Sequence, residues 1–192
     1  MPLTTYTAGQ VLTAASLNAN FSFAAANGLT LVTAGTFSAV TTFTVDNVFN
    51  ATYRNYCVVV HNTQVTGAGA QALQTQLRVG GVASSTTYFS ARSGYQYTGT
   101  IAADVVNNGT NWFIQRANGS ASSDGEGACS FNIYGPALAA NTFFSGTAVD
   151  GSYQAGVAGY HNTATAYDGI SFTLTTGATT MTGIYRIYGY QD

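Results

Sequence analysis

The chain has 192 residues, of which 46% are hydrophobic, enough for one domain with its own core and too apolar for a disordered polymer. Only 6% are charged, none is lysine, and the net charge is −2, whereas about a quarter of an ordinary domain is charged. Five scattered arginines cannot make the clustered cationic surface that phosphate backbones require, and no apolar run is long enough to cross a membrane as a helix, so neither nucleic acid nor membrane insertion is expected.

The opening residues, Met1-Pro2-Leu3-Thr4-Thr5, have neither the basic segment nor the apolar run of a secretory signal. The Asn-x-Ser/Thr sequences at Asn20, Asn50, Asn108 and Asn118 are therefore expected to go unused. Thr13 is placed to cap a helix starting at Ala14. Ala14, Leu17, Phe21, Ala24 and Gly28 recur at three- and four-residue spacing and make one narrow apolar face, and Asn27-Gly28 supplies a stop. So short a helix is marginal alone. It must dock on its own sheet, or in a bundle or socket offered by neighbouring subunits.

From Leu29 the pattern changes to strands and turns. Strands are predicted over residues 29–36, 41–48, 55–62, 72–79, 87–91, 96–100, 111–116, 128–134, 141–147, 156–162, 170–175 and 183–190. Between them lie Gly- and Asn-rich turns: Gly67-Ala68-Gly69, Gly80-Gly81, Asn108-Gly109, Asn118-Gly119, Asp150-Gly151 and Asp168-Gly169. Arg92-Ser93-Gly94 reads as a further turn, ringed by Tyr88, Phe89, Tyr95 and Tyr97. Many short strands at this spacing predict an all-β fold, a jelly-roll-like antiparallel β-sandwich over residues 29–192 with a short N-terminal α-helix in the segment 1–28. Cys57 and Cys129 sit in strand-like apolar runs and read as two small buried hydrophobes; they could pair only on neighbouring strands.

Chemistry is sparse. Two histidines, His61 and His161, and seven acids make a short inventory for proton transfer, and no metal-spaced Cys/His cluster, phosphate loop or Gly-x-Ser-x-Gly elbow is present. No cofactor or metal is expected. Asp124-Gly125-Glu126-Gly127 reads as a solvated turn, with a weak calcium loop as the alternative. A glycosidase pair drawn from Glu126, Asp150 and Asp168 would need two acids about 5 to 9.5 Å apart in a groove. The chain is therefore read as non-enzymatic. Aromatics are the better lead: Arg92, Tyr95, Tyr97 and Trp112 are expected on outward loops, where rings could stack on sugars beside hydrogen-bonding amides.

Residues 6–21, from Tyr6-Thr7-Ala8-Gly9-Gln10-Val11-Leu12-Thr13-Ala14 to Asn18-Ala19-Asn20-Phe21, resemble the opening of tailed-bacteriophage virion proteins, in which a phrase such as aG-x-V-L-T-A-a-x-L-N-x-N-F stands near the N-terminus of fibre and appendage subunits. Looser likenesses to β-sandwich proteins of phage virions lie in Val48-Phe49-Asn50-Ala51-Thr52-Tyr53-Arg54-Asn55-Tyr56 and in the closing Tyr185-Arg186-Ile187-Tyr188-Gly189-Tyr190. The resemblance implies a virion structural protein, usually a homotrimer, a tail or head fibre subunit that contacts other virion proteins and a host glycan or surface protein. The alternative is a capsid decoration or cement protein. Val11, Leu12, Ala14, Leu17, Phe21 and Ala24 would then pack the anchor. Unlike a full-length fibre, the chain has no long shaft, triple-helical repeat or coiled-coil stalk.

Overall fold

The computed structural model describes residues 5–11, 13–18, 28–66, 69–119, 126–151, 153–175 and 180–190. Thr13 caps a short helix over residues 14–18: the Ser16 amide donates to Thr13 Oγ1 at 3.2 Å, and the Leu17 amide donates to the Thr13 carbonyl at 3.0 Å. The rest is antiparallel β-structure in two packed sheets.

The strands are β1 (Leu29–Val40), β2 (Thr42–Val45), β3 (Asn55–Thr66), β4 (Gly69–Val79), β5 (Val82–Ala83), β6 (Tyr88–Gln96), β7 (Ile101–Gly109), β8 (Trp112–Gly119), β9 (Gly127–Tyr134), β10 (Thr142–Asp150), β11 (Tyr153–His161), β12 (Gly169–Leu174) and β13 (Thr180–Tyr190). One sheet runs β1-β13-β3-β9-β10-β11-β6-β7; the other runs β2-β12-β4-β5, with β8 on β4. Four ladders are nested like brackets: β1 pairs β13, β2 pairs β12, β3 pairs β9 and β4 pairs β8. This nesting is a long hairpin wrapped into two facing four-stranded sheets, β1-β13-β3-β9 and β2-β12-β4-β8, which is the jelly roll. Two hairpins, β6–β7 and β10–β11, are inserted into that wrap. They pair with each other through β11 and β6 and extend the first sheet beyond β9.

Alternation drives each strand's inward face. In β3, Tyr56, Val58 and Val60 are buried while Cys57 and Val59 are half-buried on the outer face. Trp112 and Ile114 of β8 fill the space between the sheets with Leu73, Leu77, Phe131, Phe144 and Phe172. Among the described residues the core cluster draws nothing from before Val32.

Residues 48–56 and the closing residues 185–190 meet in space. Tyr56 is buried, and its hydroxyl donates to the Asn50 carbonyl at 3.0 Å while accepting from the Asn50 amide at 2.8 Å, which ties down the 48–55 connection. Phe49 and Tyr53 each meet the Tyr56 ring edge-on. A Cβ on Gly189 would lie 2.2 Å from the Tyr53 ring, so the terminal Tyr188-Gly189-Tyr190 needs its glycine to admit that ring.

Several predicted boundaries are corrected. Residues 92–94 are not a turn but the middle of β6, and residues 97–100, predicted as strand, form the turn, with Gly99 at φ +90°. β7 was not predicted at all, and Asn118-Gly119 lies inside β8. The predicted strand 41–48 shortens to β2, because Asn47 takes φ +57° and turns the chain. The two-residue turn at Gly80-Gly81 forms as expected, with both glycines at positive φ. Cys57 and Cys129 do lie on neighbouring strands, but Val60, not Cys57, opposes Cys129, and the two thiols point to opposite faces; both are free. Burial pushes the Cys129 thiol up to about 12.

Candidate functional site

The residues expected on outward loops divide. Tyr95 and Tyr97 are exposed at the β6–β7 hairpin, 54% and 62% respectively. Trp112 is fully buried: its ring packs on Tyr88 and Phe144, and Nε1 donates to the Tyr160 carbonyl at 3.1 Å. Arg92 is also buried. Its guanidinium lies 4.2 Å from the Phe113 ring centre and 4.9 Å from that of Tyr153, and it pairs with Asp104 on the edge strand β7. Arg92 and Trp112 are therefore structural, not part of an outward patch. The cause in both cases is that β8 lies behind the sheet extension and covers its inner face.

Of the predicted anchor residues, Val11 is 83% and Leu17 40% exposed, and Ala14 is exposed too, so the sandwich covers none of these three side chains. Leu12, Phe21 and Ala24 lie outside the described residues.

Asp168 is a loop brace. Its carboxylate accepts from the Gly80 amide at 2.9 Å, and its carbonyl accepts from the Val48 and Phe49 amides. Asp150 is buried at the end of β10 and Glu126 is exposed, while Asp124 lies outside the described residues. Among the described residues no three of His, Cys, Asp and Glu come together to hold a metal ion. His61 is exposed on β3, whereas His161 is buried at the end of β11. Nε2 of His161 lies 2.9 Å from Ser84 Oγ and 2.8 Å from the Tyr167 hydroxyl, and Nδ1 lies 3.1 Å from Thr87 Oγ1 and 3.3 Å from the Thr87 carbonyl. Since that carbonyl can only accept, Nδ1 carries the hydrogen, and Nε2 accepts from the two hydroxyls. Burial lowers the His161 pKa, partly opposed by the Thr87 backbone bond. A Ser–His contact of this kind can activate a nucleophile only where a substrate reaches it; here the ring has no exposed surface and stacks on Tyr88 and Tyr167.

An open face among the described residues is the outer side of β9-β10-β11-β6-β7. Directly opposed residues share a face, so the ladders align four rows across these strands. An aromatic row runs Tyr134, Phe143, Tyr160, Phe89. Two rows of small residues follow, Asn132-Ser145-Ala158-Ala91-Val105 and Ser130-Thr147-Gly156-Ser93-Ala103. The fourth row is Ala128, Val149, Gln154, Tyr95, Ile101. The small rows floor a shallow depression of about 690 Å³. Within the aromatic row Tyr160 is flanked by Phe89 at 4.8 Å, stacked nearly parallel, and by Phe143 at 6.0 Å. None of these side chains is charged.

Sequence reading missed this face because Phe143, Ala158 and Ala91 look like core residues. The alternation of Tyr153, Ala155 and Val157 with Gln154, Gly156 and Ala158 is the signal that could have located its floor.

No protein-family model, curated protein or solved structure matches the chain.

Proposed function

We propose that the chain is a non-enzymatic structural subunit of a tailed-phage virion, a fibre or appendage protein held by its N-terminal segment, with the jelly roll projecting from it. The carrying observation is the division of labour within the chain. Among the described residues the core draws on Val32 onward, while Val11 and Leu17, beside and on the capped helix at 14–18, stay exposed. Val11, Ala14 and Leu17, on a segment ordered by its own cap, are exposed, and such side chains suit docking elsewhere. The likeness of residues 6–21 to virion appendage proteins supports the same reading, and the low charge suits a subunit whose surface is covered by its neighbours.

A homotrimer is the expected assembly, and the virion the expected location. Host attachment through Tyr97 is part of the proposal, since its ring stands clear at the β6–β7 hairpin tip. The second reading, a capsid decoration or cement protein, is favoured by the uncharged outer face of β9-β10-β11-β6-β7, which suits burial against neighbours more than exposure. The test is incorporation: particles assembled with a chain lacking residues 1–27 should not carry it, although it folds. Normal incorporation of the truncated chain would refute the anchor.

A further inference from the structure

We infer that the outer face of β9-β10-β11-β6-β7 is a self-association surface whose partner is a second copy of this chain. The inference deepens the virion-subunit reading by naming the surface and the partner.

Three observations carry it. Tyr95, Ile101, Val105, Tyr134, Phe143 and Val149 are all exposed on this one face, between 39% and 73%. Five strands at about 4.8 Å spacing and eight residues at about 3.4 Å rise give a face of roughly 600 Å² in projection. Two partners each covering roughly 600 Å² would bury about 1,200 Å² between them, the lower bound of a specific interface.

Charge selects the partner. The face holds no charged side chain. A typical protein surface brings many charges, and each one buried here would lose water and find no counter-ion. A chain with only 6% charged residues is a partner that brings almost none. The same lack of cations rules against an anionic lipid surface or a phosphate backbone. Sugar stacking on Tyr160, the centre of the aromatic row, is blocked because its ring is flanked on both sides by Phe89 and Phe143.

Geometry also permits close approach. The central positions Ala91, Ser93, Gly156 and Ala158 are small and outward-facing, so a flat partner can approach near the backbone while the aromatic row and Tyr95 close over its margins.

The experiment is light scattering on the purified full-length chain at about 100 µM, with Ala158→Arg and Ala91→Asp on the floor and Val82→Asp as control. Val82 is 68% exposed on β5, in the other sheet. The wild type and V82D should have a mass that is a whole multiple, two or more, of 19.9 kDa. A158R and A91D should fall to the single-chain mass with unchanged circular dichroism. A monomeric wild type would overturn the inference, and so would floor variants that keep the multiple. In the latter case the chain still assembles, so the virion reading survives with its contact elsewhere. Conversely, self-association through this face by a chain that never enters particles would leave the inference standing and remove the virion reading. A monomeric wild type whose binding to a glycan array is lost in A158R would assign the face to a sugar.

Discussion

Acid should loosen the end of the sandwich where His161 sits. The neutral ring is held by four polar contacts, with Nε2 accepting from Ser84 and Tyr167 and Nδ1 donating toward Thr87. Protonation adds a hydrogen at Nε2, where two hydroxyls already point their own. It also places a charge in a site where the ring stacks between Tyr88 and Tyr167. Burial accordingly holds the folded pKa below the ordinary value of 6.5. The sign follows by linkage: below pH 6.5 the unfolded chain binds this proton more readily than the folded chain, so stability falls with pH through 6.5. It levels once the folded pKa is passed. Each unit by which the folded pKa lies below the unfolded one removes about 1.4 kcal/mol. Urea unfolding between about pH 7.5 and 4.5, run in parallel on the wild type and His161→Gln, isolates the effect, because the two chains differ only at this ring. The wild type should lose stability relative to H161Q as pH falls. Parallel curves would refute the reasoning.

Other perturbations probe separate parts of the fold. Trp112→Ala should cost about 3–5 kcal/mol in urea unfolding followed by circular dichroism, because a fully buried ring between the sheets is removed. Emission from Trp112, the sole tryptophan, should be blue-shifted in the native wild type and red-shift on unfolding. Gly94→Ala would put a Cβ 1.8 Å from the Gln154 carbonyl oxygen and should part β6 from β11, reducing soluble yield, whereas Gly156→Ala meets nothing within 4 Å and should leave the melting temperature unchanged or slightly raised. Tyr56→Phe should cost about 1–3 kcal/mol by leaving the Asn50 backbone groups without the hydroxyl. Deleting residues 1–27 should leave the melting temperature within a few degrees, since none of the described core residues is removed.

What could be read from the sequence follows how local each signal is. The Thr13 cap and the Gly80-Gly81 turn depend on neighbours a few residues away, and both appear as predicted. All-β character and the short helix were likewise legible from alternation and composition. Arg92-Ser93-Gly94 misled because its composition is that of a turn. In the fold Gly94 answers a different need, the close approach of the Gln154 carbonyl, and Arg92 is neutralised by an aspartate twelve residues away across a hairpin. Trp112 follows a polar Asn-Gly-Thr-Asn stretch that suggests a surface loop, yet it starts the strand that fills the gap behind the extension. The uncharged outer face was illegible for a related reason: in a chain with so few charges, inner and outer residues of a strand look alike, and only the pairing of β6 with β11 separates them.

The nested ladders also impose an order in time. β13 lies between β1 and β3, so the last strand of the wrap fills a slot bounded by two of the earliest. Until residues 180–190 have left the ribosome, β1 has no partner, β3 exposes an open edge, and the pocket for Met181 and Ile187 stands vacant. A nascent chain cannot close this core progressively from its N-terminus. Folding waits for residues 180–190 and then proceeds through pairings of high sequence separation, which are slow. During that interval neighbouring nascent chains can offer each other the missing strand, so yield should depend on synthesis rate and temperature more steeply than the stability of the finished fold would suggest.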